Sequence, residues 1–248
     1  MSGHSKWATI KHKKGAADQA RGKLFAKIAR QLEVAARDGG GDANSNATLR
    51  TAMLKAKAAQ MTNDLIERAI KRGTGEDEGG TYEAITYEGY APGGVALLID
   101  VLTDNRNRTG ADVRNIFSKL GGSMAEPGAV GWQFNRRGVV VVTGGDEDTV
   151  MMAALDAGAE DVSSDGDNFR VTCAPSAVHD VRDALQAAGL EIESAESTMV
   201  ASLSVEVTDT DDARKILRII DALEDNEDVQ DVYSNFDISV ELMEAVGG

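Results

Sequence analysis

The chain has 248 residues, of which 42% are hydrophobic and 27% are charged, and its formal net charge is −15. This length and composition are typical of a folded protein with one large domain or two or three small ones. The single cysteine, Cys173, excludes an internal disulfide and a cysteine-based metal cage. The longest apolar run, Val95 to Leu102, is interrupted by Asp100 and is too short to cross a bilayer. We therefore expect a cytoplasmic protein with neither a membrane span nor a cleaved leader.

Positive and negative charges are separated along the sequence. Residues 1–75 hold 15 Lys and Arg against 6 Asp and Glu, a net charge of +9. Residues 76–248 hold 11 against 35, a net charge of −24, and the sign reverses across a glycine-rich, acidic linker at 73–80. This asymmetry indicates that residues 1–75 bind a polyanion and that the negative charge of residues 76–248 keeps that part of the protein soluble.

Three helices are predicted before the linker. In the first, from Ala17 to Arg37, apolar residues form one stripe and basic residues gather on the opposite side. A second helix is predicted from Ala47 to about Gln60, with Asn44, Ser45 or Asn46 as its cap. A third begins near Asp64, whose carboxylate would cap it, and runs to Gly73. Short helices bury their apolar faces only against one another, so a three-helix bundle is expected.

Beyond the linker, two α+β units are predicted. Residues 136–197 give the order strand, helix, strand, strand, helix, strand, which is that of a ferredoxin-like sandwich. The flanking segments give the same order when they are joined. Their strands are predicted at 94–103, near 123–134, at 200–208 and at 229–239, with helices at 109–120 and 211–224. The inner unit would then be an insertion in the central hairpin of the outer one, and residues 82–90 would add an edge strand.

The fold class expected from these patterns is α+β with three domains. A basic helical domain comprises residues 1–78, and a ferredoxin-like domain comprises residues 79–134 and 199–248. A second ferredoxin-like domain, residues 135–198, is inserted in the first one. We call residues 1–78 the head and residues 79–248 the body.

The head carries the candidate nucleic-acid-binding residues. Its basic side chains cluster on an N-terminal arm, which has no acid before Asp18, and on one face of the first helix, as expected for binding phosphates. Lysine is a compact point charge that suits contacts to the phosphate backbone better than base reading. If about six phosphates are neutralised on duplex DNA, log K should fall with log salt with a slope of roughly −5. The candidate contacts are Lys6, Lys11, Lys13, Lys14, Lys23, Lys27, Arg30 and Arg37.

Other interpretations of the head stay open. The arm could be a solvated tail that binds nothing, and Trp7 could stack on a base or pin the arm to the bundle. Side chains able to read bases are available at Gln31, Gln60 and Asn63, but they are scattered and no helix-turn-helix signature occurs. The residues alone therefore favour neither DNA nor RNA.

A possible anion seat lies at Arg106, Asn107 and Arg108. These residues lie between a predicted strand and a helix predicted to begin at Thr109, where backbone N–H groups and the helix dipole attract anions. In the alternative interpretation, Asn107 or Thr109 caps the helix and both arginines pair with surface carboxylates.

The sequence offers no catalytic constellation. Two of its three histidines, His4 and His12, lie on the arm, and His179 is alone on a predicted helix; no phosphate-binding glycine motif occurs. Residues 165–168 (DGDN) look like part of a calcium loop but lack its later ligands, so a hairpin turn is expected. We expect no enzyme activity, cofactor, metal or small-molecule substrate.

Four blocks of the sequence resemble the YebC/PmpR family. They are MSGHSKWATIKHKKG at 1–15, IERAIKRG at 66–73, TDNRNRT at 103–109 and DVQDVYSN at 228–235. The resemblance implies one helical and two α+β domains. It also implies a cytoplasmic DNA-binding regulator of transcription, because bacterial members are usually described in that way. Mitochondrial relatives are described as translational activators, and some bacterial ones are linked to the ribosome.

The expected function is thus regulation of transcription by a protein whose basic head holds the DNA backbone. One alternative is a ribosome-associated, RNA-binding activator of translation. Another is a protein–protein adaptor that uses the acidic body, with lysines that serve only solubility. In each case the acidic domains are available to a protein partner.

Overall fold

The computed structural model describes residues 17–165 and 168–246. The head contains α1 (Ala17–Gly39), α2 (Ala47–Ala58) and α3 (Asn63–Thr74). The apolar stripe of α1, including Ile28 and Leu32, packs against Leu49 of α2 and Ile66 of α3 in one buried cluster. The predicted three-helix bundle is therefore confirmed.

The connections in the head depend on a few local features. Gly40 follows α1 with φ of 84°, a conformation that glycine adopts without strain. Asn46 caps α2 by accepting from Leu49 N, and its amide donates to the carbonyls of Ala35 and Gly40. This one buried side chain therefore fixes the start of α2 and ties it to the end of α1.

The cap of α3 differs from the prediction. Thr62, not Asp64, accepts the hydrogen bond from Leu65 N, because the helix begins at Asn63, two residues earlier than a helix capped by Asp64 would. Asp64 instead lies in the first turn, where a carboxylate is favourable to the helix dipole, and pairs with Arg68 at 2.8 Å.

Within residues 79–165 and 168–246, the body contains two four-stranded sheets, one two-stranded sheet and five α-helices. The helices are α4 (Arg106–Leu120), α5 (Glu147–Asp156), α6 (Val178–Ala187), α7 (Thr210–Glu224) and α8 (Val240–Val246). The strands are β1 (Glu83–Ala91), β2 (Val95–Thr103), β3 (Ser123–Ala125), β4 (Phe134–Thr143), β5 (Asp161–Asp165), β6 (Asn168–Cys173), β7 (Glu191–Ala201), β8 (Val205–Glu206), β9 (Val229–Ser234) and β10 (Phe236–Asp237).

The first sheet has the order β3-β1-β2-β9, with all neighbours antiparallel. Helices α4 and α7 cover one face through a large apolar cluster, in which Val113 and Phe117 meet Ile216 and Ile220. The prediction that residues 82–90 form an edge strand is wrong. As β1 this segment lies inside the sheet, where it fills the position that the predicted strand 200–208 would have taken.

The second sheet has the antiparallel order β5-β6-β4-β7, with α5 and α6 against it. This is the strand order of a ferredoxin-like unit, so the fold predicted for residues 136–197 is confirmed. Strands β4 and β7 are long, and they pair from Phe134↔Ala201 to Thr143↔Glu191. They lead from the first sheet to the second and back.

Three further strand predictions need correction. The strand expected at 200–208 is interrupted, because β7 ends at Ala201 and only Val205–Glu206 pairs again, with β10. Of the strand expected near 123–134, only Ser123–Ala125 (β3) is extended. A loop and the turn Gly131–Gln133 follow it, before β4 begins at Phe134. The last strand divides at Asn235, whose side chain accepts from Ala96 N and donates to Gln133. Helix α8 was not predicted at all.

A buried carboxylate positions the loop between β3 and β4. Glu88 on β1 accepts hydrogen bonds from the backbone N–H groups of Gly128, Val130 and Gly131, at 2.6 to 2.9 Å. Burial alone would raise the pKa of Glu88, but these three donors outweigh it and hold the pKa below its ordinary value. The loop is therefore fixed by one charged acceptor.

Candidate nucleic-acid interface

The basic face predicted on α1 is present. Lys23, Lys27 and Arg30 follow one another at four and three residues, which places them on one side of the helix, opposite the buried Ile28 and Leu32. That side does not face open solvent. It lies against the end of α7 and the residues that follow it, Glu224–Asp228, which we call the acidic segment.

Each of these three cations contacts the acidic segment. Lys23 Nζ lies 3.2 Å from Asp225 Oδ1, and Lys27 Nζ donates to the carbonyl of Glu224 at 2.6 Å. Arg30 donates to Asp228 Oδ1 and to the carbonyl of Glu227, both at 2.7 Å. The set therefore spans both ends of the acidic segment.

Neighbouring contacts extend this junction. Gln31 donates to Gln230 at 3.2 Å, and Lys55 of α2 lies 3.8 Å from Asp231. The Arg30 guanidinium also lies over the Tyr82 ring, 5.5 Å from its centroid, in a cation–π contact. We call these contacts together the head–body interface.

Asp228 lies at the centre of the head–body interface. Besides Arg30, this buried carboxylate accepts from Arg108 at 2.8 Å and from the Thr109 hydroxyl at 2.6 Å. Burial raises its pKa, but the hydrogen bonds from Thr109 and Arg108 and the charge of Arg30 hold the pKa below its ordinary value. Asp228 therefore stays ionised and ties α1 of the head to α4 of the body.

The last predicted contact on α1, Arg37, belongs to another cluster. It lies 3.1 Å from Glu33 Oε1 and donates to the carbonyl of Gly80. Glu33 is buried and is also paired with Arg72 of α3 at 3.1 Å. Arg37 is thus held next to the linker, away from Lys23 and Lys27.

The proposed anion seat is partly occupied by carboxylates. The helix begins at Arg106 with Asn105 as its cap, so neither Asn107 nor Thr109 caps it. Arg108 binds Asp104 and Asp228, both at 2.8 Å, which corresponds to the ion-pair interpretation for that residue. Arg106 and Asn107 are exposed.

The arm residues Lys6, Lys11, Lys13 and Lys14, as well as Trp7, lie outside the described residues. Within the part of the head that is described, cations also lie exposed on α2 and α3. They are Arg50, Lys55, Lys57, Arg68 and Lys71.

The central residues that the sequence did not reveal are Asp228 and Tyr82. Asp228 lies before a short apolar strand and Tyr82 lies after the linker, and neither belongs to a motif with a predicted role. Only charge complementarity between a basic helix and an acidic body could have suggested such a contact.

The described residues give no indication of a metal site or a membrane span. Across residues 17–165 and 168–246, no group of three or more His, Cys, Asp and Glu side chains could hold a metal ion. His179 is exposed on α6, and Cys173 is buried, which raises the pKa of its thiol. No helix in these ranges is long and apolar enough to span a membrane.

Comparisons with known proteins agree with this architecture. A family model described as "TACO1/YebC protein N-terminal domain" matches residues 5–76, and one described as "TACO1/YebC second and third domain" matches residues 82–236. A "Probable transcriptional regulatory protein" from Rubrobacter xylanophilus is 57% identical over 251 residues, covering 100% of both chains. One from Thermobifida fusca is 56% identical, covering 98% of each chain.

The solved structures include a similar chain. The crystal structure of a conserved hypothetical protein from Aquifex aeolicus is 41% identical, with a TM-score of 0.78, and the match covers 90% of this chain and 92% of that one. The sequence blocks, the three-domain fold and the full-length relatives lead to one conclusion. The chain belongs to the TACO1/YebC family.

Proposed function

We propose that this protein is a cytoplasmic regulator of transcription that binds DNA through the phosphate backbone, using the basic arm and α1 of its head. The observation that carries the proposal is the charge reversal, from +9 in residues 1–75 to −24 in the rest. A polyanion is attracted to the first segment and repelled by the second, so binding is confined to the head. The names of the bacterial relatives support a role in transcription.

In this proposal the arm makes the first contacts. Lys6, Lys11, Lys13 and Lys14 supply four positive charges within nine residues, without an acid among them. Each cation that neutralises a phosphate releases a counterion, so affinity depends steeply on salt. Because lysine carries no planar fork for base edges, the contacts depend little on sequence.

The first test measures binding of the full chain to a labelled DNA duplex by fluorescence anisotropy at several salt concentrations. We expect log K to fall with log salt with a slope of roughly −5. Replacing Lys6, Lys11, Lys13 and Lys14 by Gln should reduce the magnitude of that slope by about 3 to 4, because each lost phosphate contact removes about 0.9.

The matched control removes four cations from the body instead, by replacing Arg114, Lys119, Lys215 and Arg218 with Gln. It changes the net charge equally and should leave the slope close to that of the wild type. Equal losses in the two variants would contradict the assignment of binding to the arm.

The resemblance to translational activators makes RNA the second candidate. RNA crosslinking with sequencing in cells, run beside a promoter pull-down, separates the two. Reads concentrated on ribosomal RNA without promoter enrichment would favour the ribosome.

The adaptor alternative predicts that replacing Lys11, Lys13, Lys14, Lys23 and Lys27 by Gln leaves function intact.

A further inference from the structure

The head–body interface is made of charged and polar groups. The apolar cluster of the head contains only residues between Phe25 and Ile70, and no apolar cluster of the described residues includes side chains from both head and body. Interfaces between domains that lack a shared apolar core permit relative motion. The head and the body can therefore separate at this interface and come together again.

The acidic segment presents anionic groups in the way a nucleic-acid strand does. Lys23 and Arg30 are seven residues apart, which corresponds to about 10 Å along the helix. Over about that length, one strand of duplex DNA carries roughly three phosphates. The acidic segment offers the carboxylates of Asp225, Glu227 and Asp228 and two carbonyl oxygens to the same cations.

The contacts with the acidic segment leave little of these cations open to a phosphate. The side chain of Arg30 is only 18% exposed while it contacts Asp228, and Lys23 is 33% exposed beside Asp225. A phosphate could reach Arg30 only after the acidic segment had moved away. Closure and phosphate binding at Arg30 are therefore mutually exclusive.

We propose that Lys23, Lys27 and Arg30 form a second phosphate-binding surface, which the acidic segment covers as an intramolecular mimic of the nucleic-acid backbone. The protein is then autoinhibited: the arm binds first, and phosphates displace the acidic segment to complete the contact. This inference rests on the proposed function, since it requires a nucleic-acid ligand. It adds that these three cations are masked in the closed protein, and it names the segment that masks them.

The first test weakens the mask and leaves the cations in place. Asp225→Asn and Glu227→Gln remove two carboxylates whose side chains are 69% exposed, so folding should be preserved. Binding to the labelled duplex should strengthen by up to about tenfold, because the affinity of a protein for a ligand is reduced by the fraction of the competent state.

The matched control, Glu147→Gln with Asp148→Asn, removes two exposed acids from α5, which belongs to the second sheet's unit. It tests whether a general loss of negative charge explains the gain. If both variants gain affinity equally, the mask is excluded and the proposed function still stands. If neither the wild type nor any variant binds nucleic acid at low salt, the proposed function itself fails.

A second test holds the interface closed without touching its charges. The side-chain amides of Gln31 and Gln230 lie 3.2 Å apart. In a Cys173→Ala background, Gln31→Cys and Gln230→Cys are joined by a bismaleimide whose spacer contains a disulfide, so that reductant cleaves the link. The joined protein should bind at least about tenfold more weakly than the same protein after cleavage. Equal affinity before and after cleavage would overturn the inference.

Discussion

At the scale of single residues, two buried carboxylates each organise several segments. Asp228 joins α1, α4 and the start of β9, and Glu88 holds the loop between β3 and β4. Both are compensated by donors, which is the condition under which a buried charge is tolerated. Removing such an acceptor leaves buried donors unsatisfied, so it costs more than the hydrogen bonds contribute.

Glu88→Gln tests this at the loop. The amide offers one acceptor oxygen and brings an NH₂ group towards the N–H groups of Gly128, Val130 and Gly131. We expect the free energy of unfolding at pH 7, measured by urea denaturation, to fall by about 2–3 kcal/mol. Glu83→Gln, at an exposed position on the same strand, should change it by less than about 0.5 kcal/mol.

The ionisation of Glu88 also determines how the stability of the wild type and of Glu88→Gln should differ with pH. Because the pKa of Glu88 is below its ordinary value of 4.5, its contribution to stability is present above that value and is lost as pH falls through the lowered pKa. The wild type should therefore lose stability below about pH 5 more steeply than Glu88→Gln. Parallel curves would show that folding does not lower the pKa of Glu88.

At the scale of elements, the head depends on close approach between α1 and α3. A Cβ added at Gly73 would lie 2.3 Å from the carbonyl oxygen of Glu33 and 2.8 Å from Ala36 Cβ. The two helices can therefore approach to this distance only if α3 carries glycine there. Among the residues that the structure describes, and apart from the neighbouring backbone of α1 itself, no heavy atom lies within 4 Å of a Cβ added at Gly22 of α1.

These two glycines give opposite predictions. Gly73→Ala should destabilise the protein by about 1–3 kcal/mol, because α3 must move away from α1. Gly22→Ala should stabilise it by about 0.5–1 kcal/mol, because alanine favours the helix more than glycine does. Urea denaturation followed by circular dichroism measures both, and a loss of stability in Gly22→Ala would show that α1 packs differently in this region.

At the scale of the whole molecule, a basic head and an acidic body are held together mainly by charge. The Lys23–Asp225 pair is partly exposed, and exposed ion pairs contribute only about 0.2–1 kcal/mol each and weaken with salt, whereas the Arg30–Asp228 pair is largely buried. The head therefore depends on its own apolar cluster for stability, and the body on the clusters against its two four-stranded sheets. Arg30 is the residue through which the two parts are most closely coupled.

Arg30→Gln should uncouple the two parts in thermal unfolding. It removes the ion pair with Asp228 and the contact with Tyr82, while Arg108 still compensates Asp228. Differential scanning calorimetry should then separate a transition of the head from that of the body. Arg50→Gln, at an exposed position on α2, should give the same calorimetric unfolding profile as the wild type. A single unfolding transition in Arg30→Gln would contradict the inference that Arg30 couples the head to the body.

Local patterns in the sequence were sufficient for the head helices, for the order of elements in residues 136–197 and for the separation of charge. Each depends on neighbours in sequence: a helical period, an alternation typical of strands, or a run of like charges. The three helices and the ferredoxin-like unit therefore agree with prediction to within a few residues.

Only the tertiary structure decided which strands lie side by side and what the basic face of α1 contacts. The position of β1 inside the first sheet, and the contact of Lys23 and Arg30 with residues about 200 positions away, depend on how distant segments pack. Periodicity establishes that α1 has a charged face, but it carries no information about the partner of that face. Partner choice is set by three-dimensional proximity and by the free energy of bringing opposite charges together.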